Sequence, residues 1–291
     1  PGLISDGTTG GTDTYGGLLT IGVGASYTCA LNSPVNFNGG ISNAGTFSKV
    51  GTGAVTFNNT STVGGTAAIS LAGAATVNGA TTFAGSAGIT FTSTLLLNNS
   101  CSINAATSIS VTGNTTIGTD DVLTNNGTAT LTGFVNGQNA GSTWINANGS
   151  VLTYSNATAP MATGIFDPSA ISNTVTYSGT NQSIRGASYN TLAFSGSATK
   201  TSTGNITVEN ALSVPIGITF AIAGFSFTAN NTVSIAGTLS DGTLAGTNLI
   251  VGTLTNTGNF TNSSNAPFEF RNGIVNNGTF SPGSGAMLFS T

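Results

Sequence analysis

Asp120 and Asp121 form the chain's only adjacent acidic pair. Paired carboxylates serve glycoside hydrolysis, one as proton donor and the other as nucleophile or base, and some β-helical enzymes use acids in this way. Such sites also need supporting Lys, Arg or His. Histidine is absent, and the four basic residues, Lys49, Arg185, Lys200 and Arg271, are scattered along the chain. The pair, following TTIGT, therefore reads as a solvated turn, and no catalytic residue is assigned. The segment DGTTGGTD at residues 6–13 has the Gly and Asp composition of a calcium loop. It matches neither the EF-hand spacing nor the nonapeptide calcium-binding repeat, so no metal ligand is assigned. No Ser or Cys has a His to activate it, which excludes a His-based nucleophilic dyad or triad. Cys29 and Cys101 are far apart in the chain and read as two unpaired thiols, buried like small hydrophobes.

Only twelve of the 291 residues are charged, 4%, against about 25% in an ordinary soluble domain. A net charge of -4 with no basic cluster leaves little to neutralise phosphates, so nucleic acid is not an expected partner. Apolar runs such as residues 94–97 and 216–220 are strand-sized, and none is long enough for a membrane-spanning helix. The chain opens at Pro1 without a signal peptide, as expected of a mature product or an excised piece. Ser-, Thr- and Asn-rich composition with almost no Lys or Glu points to an extracellular location. No cofactor is implied.

The positioning elements follow from an internal repeat. Residues 41–47 (ISNAGTF), 123–129 (LTNNGTA), 254–260 (LTNTGNF) and 274–280 (IVNNGTF) all keep Asn third and Gly fifth. Those positions are Asn43 and Gly45, Asn125 and Gly127, Asn256 and Gly258, and Asn276 and Gly278. A looser form recurs at 63–69, 77–83, 111–117 and 233–239, and the copies at 254 and 274 are 20 residues apart. Asn and Gly tolerate left-handed backbone, so these pairs are expected to supply turns between short strands. A strand–turn–strand unit with one apolar side must stack on its own copies to bury that side.

The fold expected is an all-β, parallel β-solenoid of stacked short coils, roughly 20 residues each and about 14 in number. Small inward residues suggest a flattened coil of opposed sheets with little internal room. A string of sandwich domains is the competitor, disfavoured by the single Trp and the very short strands. Residues 1–133 and 173–291 read as solenoid blocks. Residues 134–172, with Trp144, Pro160, Met161 and Asp167-Pro168, read as decorated coils or a linker.

Two surface readings remain. Thr-x-Thr runs at 128–132 and 253–257 evoke ice binding, but are not repeated at one coil position and read as solvated strand faces. Sugar recognition would use exposed aromatics, and Trp144, Tyr154 and Tyr177 are the candidate ligand-facing set.

Within residues 141–196, Val175, Tyr177, Gly179, Gln182 and Ile184, followed by Tyr189, Leu192, Phe194 and Gly196, carry the pattern V-x-Y-x-G-x-x-Q-x-I then Y-x-x-L-x-F-x-G. This pattern resembles the repeats of very large secreted surface proteins of Bacteroidota, the adhesin-like cargo of the type IX secretion system. The Asn-x-Gly copies at 41–47, 254–260 and 274–280 resemble the same proteins. The resemblance implies an extracellular, often giant protein of attachment, gliding or cell contact, some members assembling into grappling-hook-like filaments. No sorting domain of such cargo is visible after Phe280, as a fragment would have it. The expected function is thus a non-catalytic structural segment of a surface adhesin or cell-contact appendage. Expected partners are other segments of the same giant chain or identical subunits, and cell-surface glycan. A filament subunit, a carbohydrate-binding module and a polysaccharide-active β-helix are the alternatives.

Overall fold

The computed structural model describes residues 3–5, 10–242 and 246–290. The chain is all-β, a parallel β-solenoid of about 14 turns spaced roughly 20 residues apart. It divides into two compact units: residues 1–146 with 163–165, and residues 147–162 with 166–291. The division falls inside the 134–172 stretch, which itself carries the strands Val135–Gly137, Thr143–Asn146, Val151–Tyr154 and Ile165–Asp167.

In the first unit each turn has three strands, and each strand pairs in parallel with its counterpart one turn away. One sheet runs through Ser26–Cys29, Thr46–Lys49, Ile69–Leu71, Ile89–Phe91, Ser108–Val111 and Thr128–Leu131. A second runs from Asp13–Tyr15 and Val35–Phe37 through Val55–Phe57, Ala75–Val77, Leu95–Leu97 and Thr115–Ile117 to Val135–Gly137. The third holds Leu19–Ile21, Gly40–Asn43, Ser61–Gly65, Thr81–Phe83, Cys101–Ile103, Val122–Asn125 and Thr143–Asn146. For this unit the flattened coil of two opposed sheets is thereby corrected. Three sheets enclose a core wide enough for Tyr27, Phe37, Phe57, Phe83 and Trp144, each at most 1% exposed.

Strand chemistry explains the sides. A three-residue strand such as Val55-Thr56-Phe57 points its ends inward and its centre outward. Identical register from turn to turn then places like residues over like. Phe37 and Phe57 stack at 5.6 Å between ring centroids, as do Tyr27 and Phe47 at 4.8 Å.

The second unit begins with two strands per turn. Val151–Tyr154, Thr174–Tyr177, Ser188–Phe194 and Ile206–Val214 pair in sequence, and Gln182–Ile184, Ala198–Ser202 and Ile218–Ala221 form the other sheet. The nine-residue strand Ile206–Val214 then meets two strands in the following turn, Phe227–Ala229 along its first half and Thr232–Ile235 along its second. Asn230 and Asn231 make a corner where the preceding turn ran straight, and the turns become three-sided.

Candidate functional site

The Asn-x-Gly pairs do close corners, for a reason different from the expected one. None of Gly45, Gly127, Gly258 and Gly278 has positive φ. A Cβ there would instead lie 2.1–2.4 Å from a backbone oxygen of the turn below. Glycine is required by the close stacking of turns, not by left-handed backbone. Asn43, Asn125 and Asn256 are fully buried. The Oδ1 atoms of Asn43 and Asn125 accept the N–H of Gly45 and Gly127 at 3.1 Å, and Asn125 Nδ2 donates to Asn146 Oδ1 at 2.8 Å. Asn256 Nδ2 donates to Asn276 Oδ1 at 2.7 Å. Asn276 is exposed and donates to the carbonyl of Gly278 at 3.1 Å.

The ligand-facing aromatics are a correction. Trp144, Tyr154 and Tyr177 are all 0% exposed. Each occupies an inward strand position, Trp144 in register with Leu123, and Tyr154 with Tyr177. Alternation that gives every strand one wet side sends these large rings to the dry one. Trp144 belongs to the first unit, Tyr154 and Tyr177 to the second, so the three form no surface platform for a sugar.

Asp120 sits at an exposed turn with φ of 60°, and its Oδ1 accepts Asn139 Nδ2 at 2.9 Å. Ser100 Oγ donates to Asp121 Oδ1 at 3.5 Å. Among the described residues no three His, Cys, Asp or Glu side chains converge, and the ion pair found is Arg271 with Glu269 at 2.7 Å. Residues 6–9 of the calcium-loop-like segment lie outside the described residues; Asp13 opens the strand Asp13–Tyr15. Cys29 and Cys101 are buried and not disulfide-bonded, as expected. Burial pushes the Cys101 thiol up to about 11. The two Thr-x-Thr runs lie in different units.

Much of what the strands present to solvent is a set of hydroxyl and amide columns. Outward centres include Thr56, Thr76 and Thr116 on one sheet, Thr62, Thr82 and Thr124 on another, and Thr90, Ser110 and Thr130 on the remaining one. At one corner Asn58, Asn78 and Asn98 each donate Nδ2 to the Oδ1 of the Asn one turn below, beginning with Asn38, at 3.0 Å per step. Shallow depressions lie between such columns, one of about 330 Å³ beside Thr82, Ser102 and Thr124.

A dense internal polar cluster belongs to the second unit. Gln182, 3% exposed, donates from Nε2 to the carbonyls of Tyr154 at 2.8 Å and Asn156 at 2.9 Å. Its Oε1 accepts the Gly179 N–H at 3.0 Å and Lys200 Nζ at 3.2 Å. Lys200, 0% exposed, also donates to the carbonyls of Thr180 at 3.1 Å and of Gly179. Burial lowers the pKa of its amine. Nearby, the Arg185 N–H donates to Tyr177 Oη at 3.3 Å, and Tyr189 donates to the Arg185 carbonyl at 2.6 Å. With the Tyr189 proton so committed, Tyr177 must be the donor in the 2.8 Å contact between the two hydroxyls. The Tyr, Gly and Gln of the residue 175–184 pattern thus build internal hydrogen bonds. In the sequence Lys200 is one of four scattered basic residues; its place one turn above Gln182 is the signal that links it to the cluster.

No protein family, curated protein or solved structure matches the chain.

Proposed function

We propose that this chain is a non-catalytic structural segment of an extracellular surface adhesin or cell-contact appendage, a scaffold whose work is stiffness and display. One observation carries the reading: most outward strand centres hold uncharged Ser, Thr and Asn in register, while many large rings and the ionisable Lys49 and Lys200 lie inside. Such a surface offers a partner repetition rather than a pocket. The resemblance of residues 141–196 to type IX secretion cargo of Bacteroidota supports the same assignment. Antibodies raised against the purified chain should label intact cells of its source. Labelling only after permeabilisation, or turnover of a polysaccharide by the purified chain, would sink the reading.

A second reading, a self-assembling filament subunit, is favoured by outward apolar residues in the second unit. Val275 and Leu288, at 50% and 55% exposed, occupy the outward positions held by Thr255 and Glu269 one turn earlier. A sparsely charged exterior also opposes lateral association only weakly. Concentration-dependent filaments in negative-stain micrographs, abolished by Leu288→Lys, would favour this reading over the first.

A further inference from the structure

Lys200 and Gln182 are direct partners in the register of two adjacent strands. The amine contacts three carbonyl oxygens and no carboxylate. Three donated bonds need the ammonium, but burial without a counter-charge lowers its pKa, so mildly alkaline buffer frees the neutral amine more readily than at an exposed lysine. A neutral primary amine beside a carboxamide is a nucleophile beside an electrophile. Nζ is 3.2 Å from Oε1, so the amide carbon, one carbonyl bond further, is no more than about 4.4 Å away. That is at most about 1 Å outside the range of a near-attack arrangement.

The rest of the cluster favours the same step. The Gly179 N–H at 3.0 Å already points at the oxygen on which charge would develop. The two bonds from Nε2 to Tyr154 and Asn156 fix the carboxamide against rotation. We propose that Lys200 and Gln182 become joined through an intramolecular isopeptide bond between neighbouring turns. The Nζ lone pair adds to Cδ, and the carbonyl electrons move onto Oε1 beneath the Gly179 N–H. A proton passes from Nζ to Nε2, the Cδ–Nε2 bond breaks, the carbonyl re-forms, and ammonia leaves. A primary amide and an amine become a secondary amide, with no other reactant consumed.

Lys49 is an internal control. It is equally buried, 1% exposed, and its amine donates to the carbonyl of Gly51 at 2.6 Å. Its register partners are Cys29 and Leu71, neither of which offers a carboxamide.

The test is the intact mass of the purified, folded full chain after incubation in mildly alkaline buffer, followed by peptide mapping. Expected is a mass lower than the sequence mass by one ammonia, with a proteolytic peptide pair joined through residues 182 and 200. Gln182→Ala and Lys200→Met should restore the full sequence mass for the substituted chain, whereas Lys49→Met should leave the loss in place. A folded wild-type chain at full sequence mass overturns the proposal whatever the variants do. So does an ammonia loss that maps to a succinimide at an Asn-Gly step such as Asn148-Gly149, with no joined peptide.

Discussion

Gly127 has no room for a methyl group: its Cβ would sit 2.4 Å from the carbonyl oxygens of Asn104 and Thr107. Gly127→Ala should therefore destabilise the fold by about 1–3 kcal/mol, the usual cost of overpacking. Gly16→Ala, at an exposed site with nothing within 4 Å, should stay within about 0.5 kcal/mol of wild type. Urea melts of the two variants would check the contrast. Buried acids govern the alkaline limit. The folded chain holds the Cys101 proton up to about 11, whereas an unfolded thiol releases it from about pH 8.5–9. Stability from this group is complete below pH 9 and is lost as pH climbs toward 11, about 2–3 kcal/mol in all. Burial raises the Tyr27, Tyr177 and Tyr189 phenols as well, adding losses of the same sign above about pH 10. Cys101→Ser should flatten the first part of this fall in melts taken across the alkaline range. At this scale the Asn-x-Gly spacing was legible, but its cause was not. Close approach between turns is a property of residues 20 apart, invisible in a heptapeptide. The same blindness hid the partnership of Lys200 with Gln182 and turned Trp144 outward, because a three-residue strand leaves its facing undecided until its neighbours are known.

Individual strands are too short to persist alone and depend on the ladder above and below them. Thr76 illustrates this, pairing with Thr56 on one side and Leu96 on the other. Thr76→Pro removes a donor from the middle of a sheet, where proline is not tolerated. Amide hydrogen exchange should then rise in Val55–Phe57 and Leu95–Leu97 while strands several turns distant keep their protection. Loss of protection spread evenly over the whole chain would contradict a solenoid stabilised turn by turn. The 20-residue period and the parallel stacking could be read from the repeats, since one apolar side per unit demands stacking. Three sides rather than two could not, because that number depends on where corners fall. The change at Ile206–Val214 makes the point: Glu209-Asn210 continues a strand where Asn230-Asn231 breaks one, although both are polar pairs flanked by alternating residues.

As a whole, the molecule separates its chemistry by side. Most of the large rings, both thiols, the inward amides and two of the four basic residues, Lys49 in the first unit and Lys200 in the second, lie inside; outside stand mainly hydroxyls and carboxamides. Composition announced the scarcity of charge but not its distribution, since burying Lys49 and Lys200 against carbonyls runs against the ordinary behaviour of lysine. Dissolved ions screen fields, and an exterior with so few field sources gives them little to act on. The urea midpoint should accordingly move little as sodium chloride is raised from river to ocean levels, whereas a marked shift would reveal long-range charge coupling that the columns of Thr and Asn do not provide. A fold so built would keep its strength across a wide range of dissolved salt.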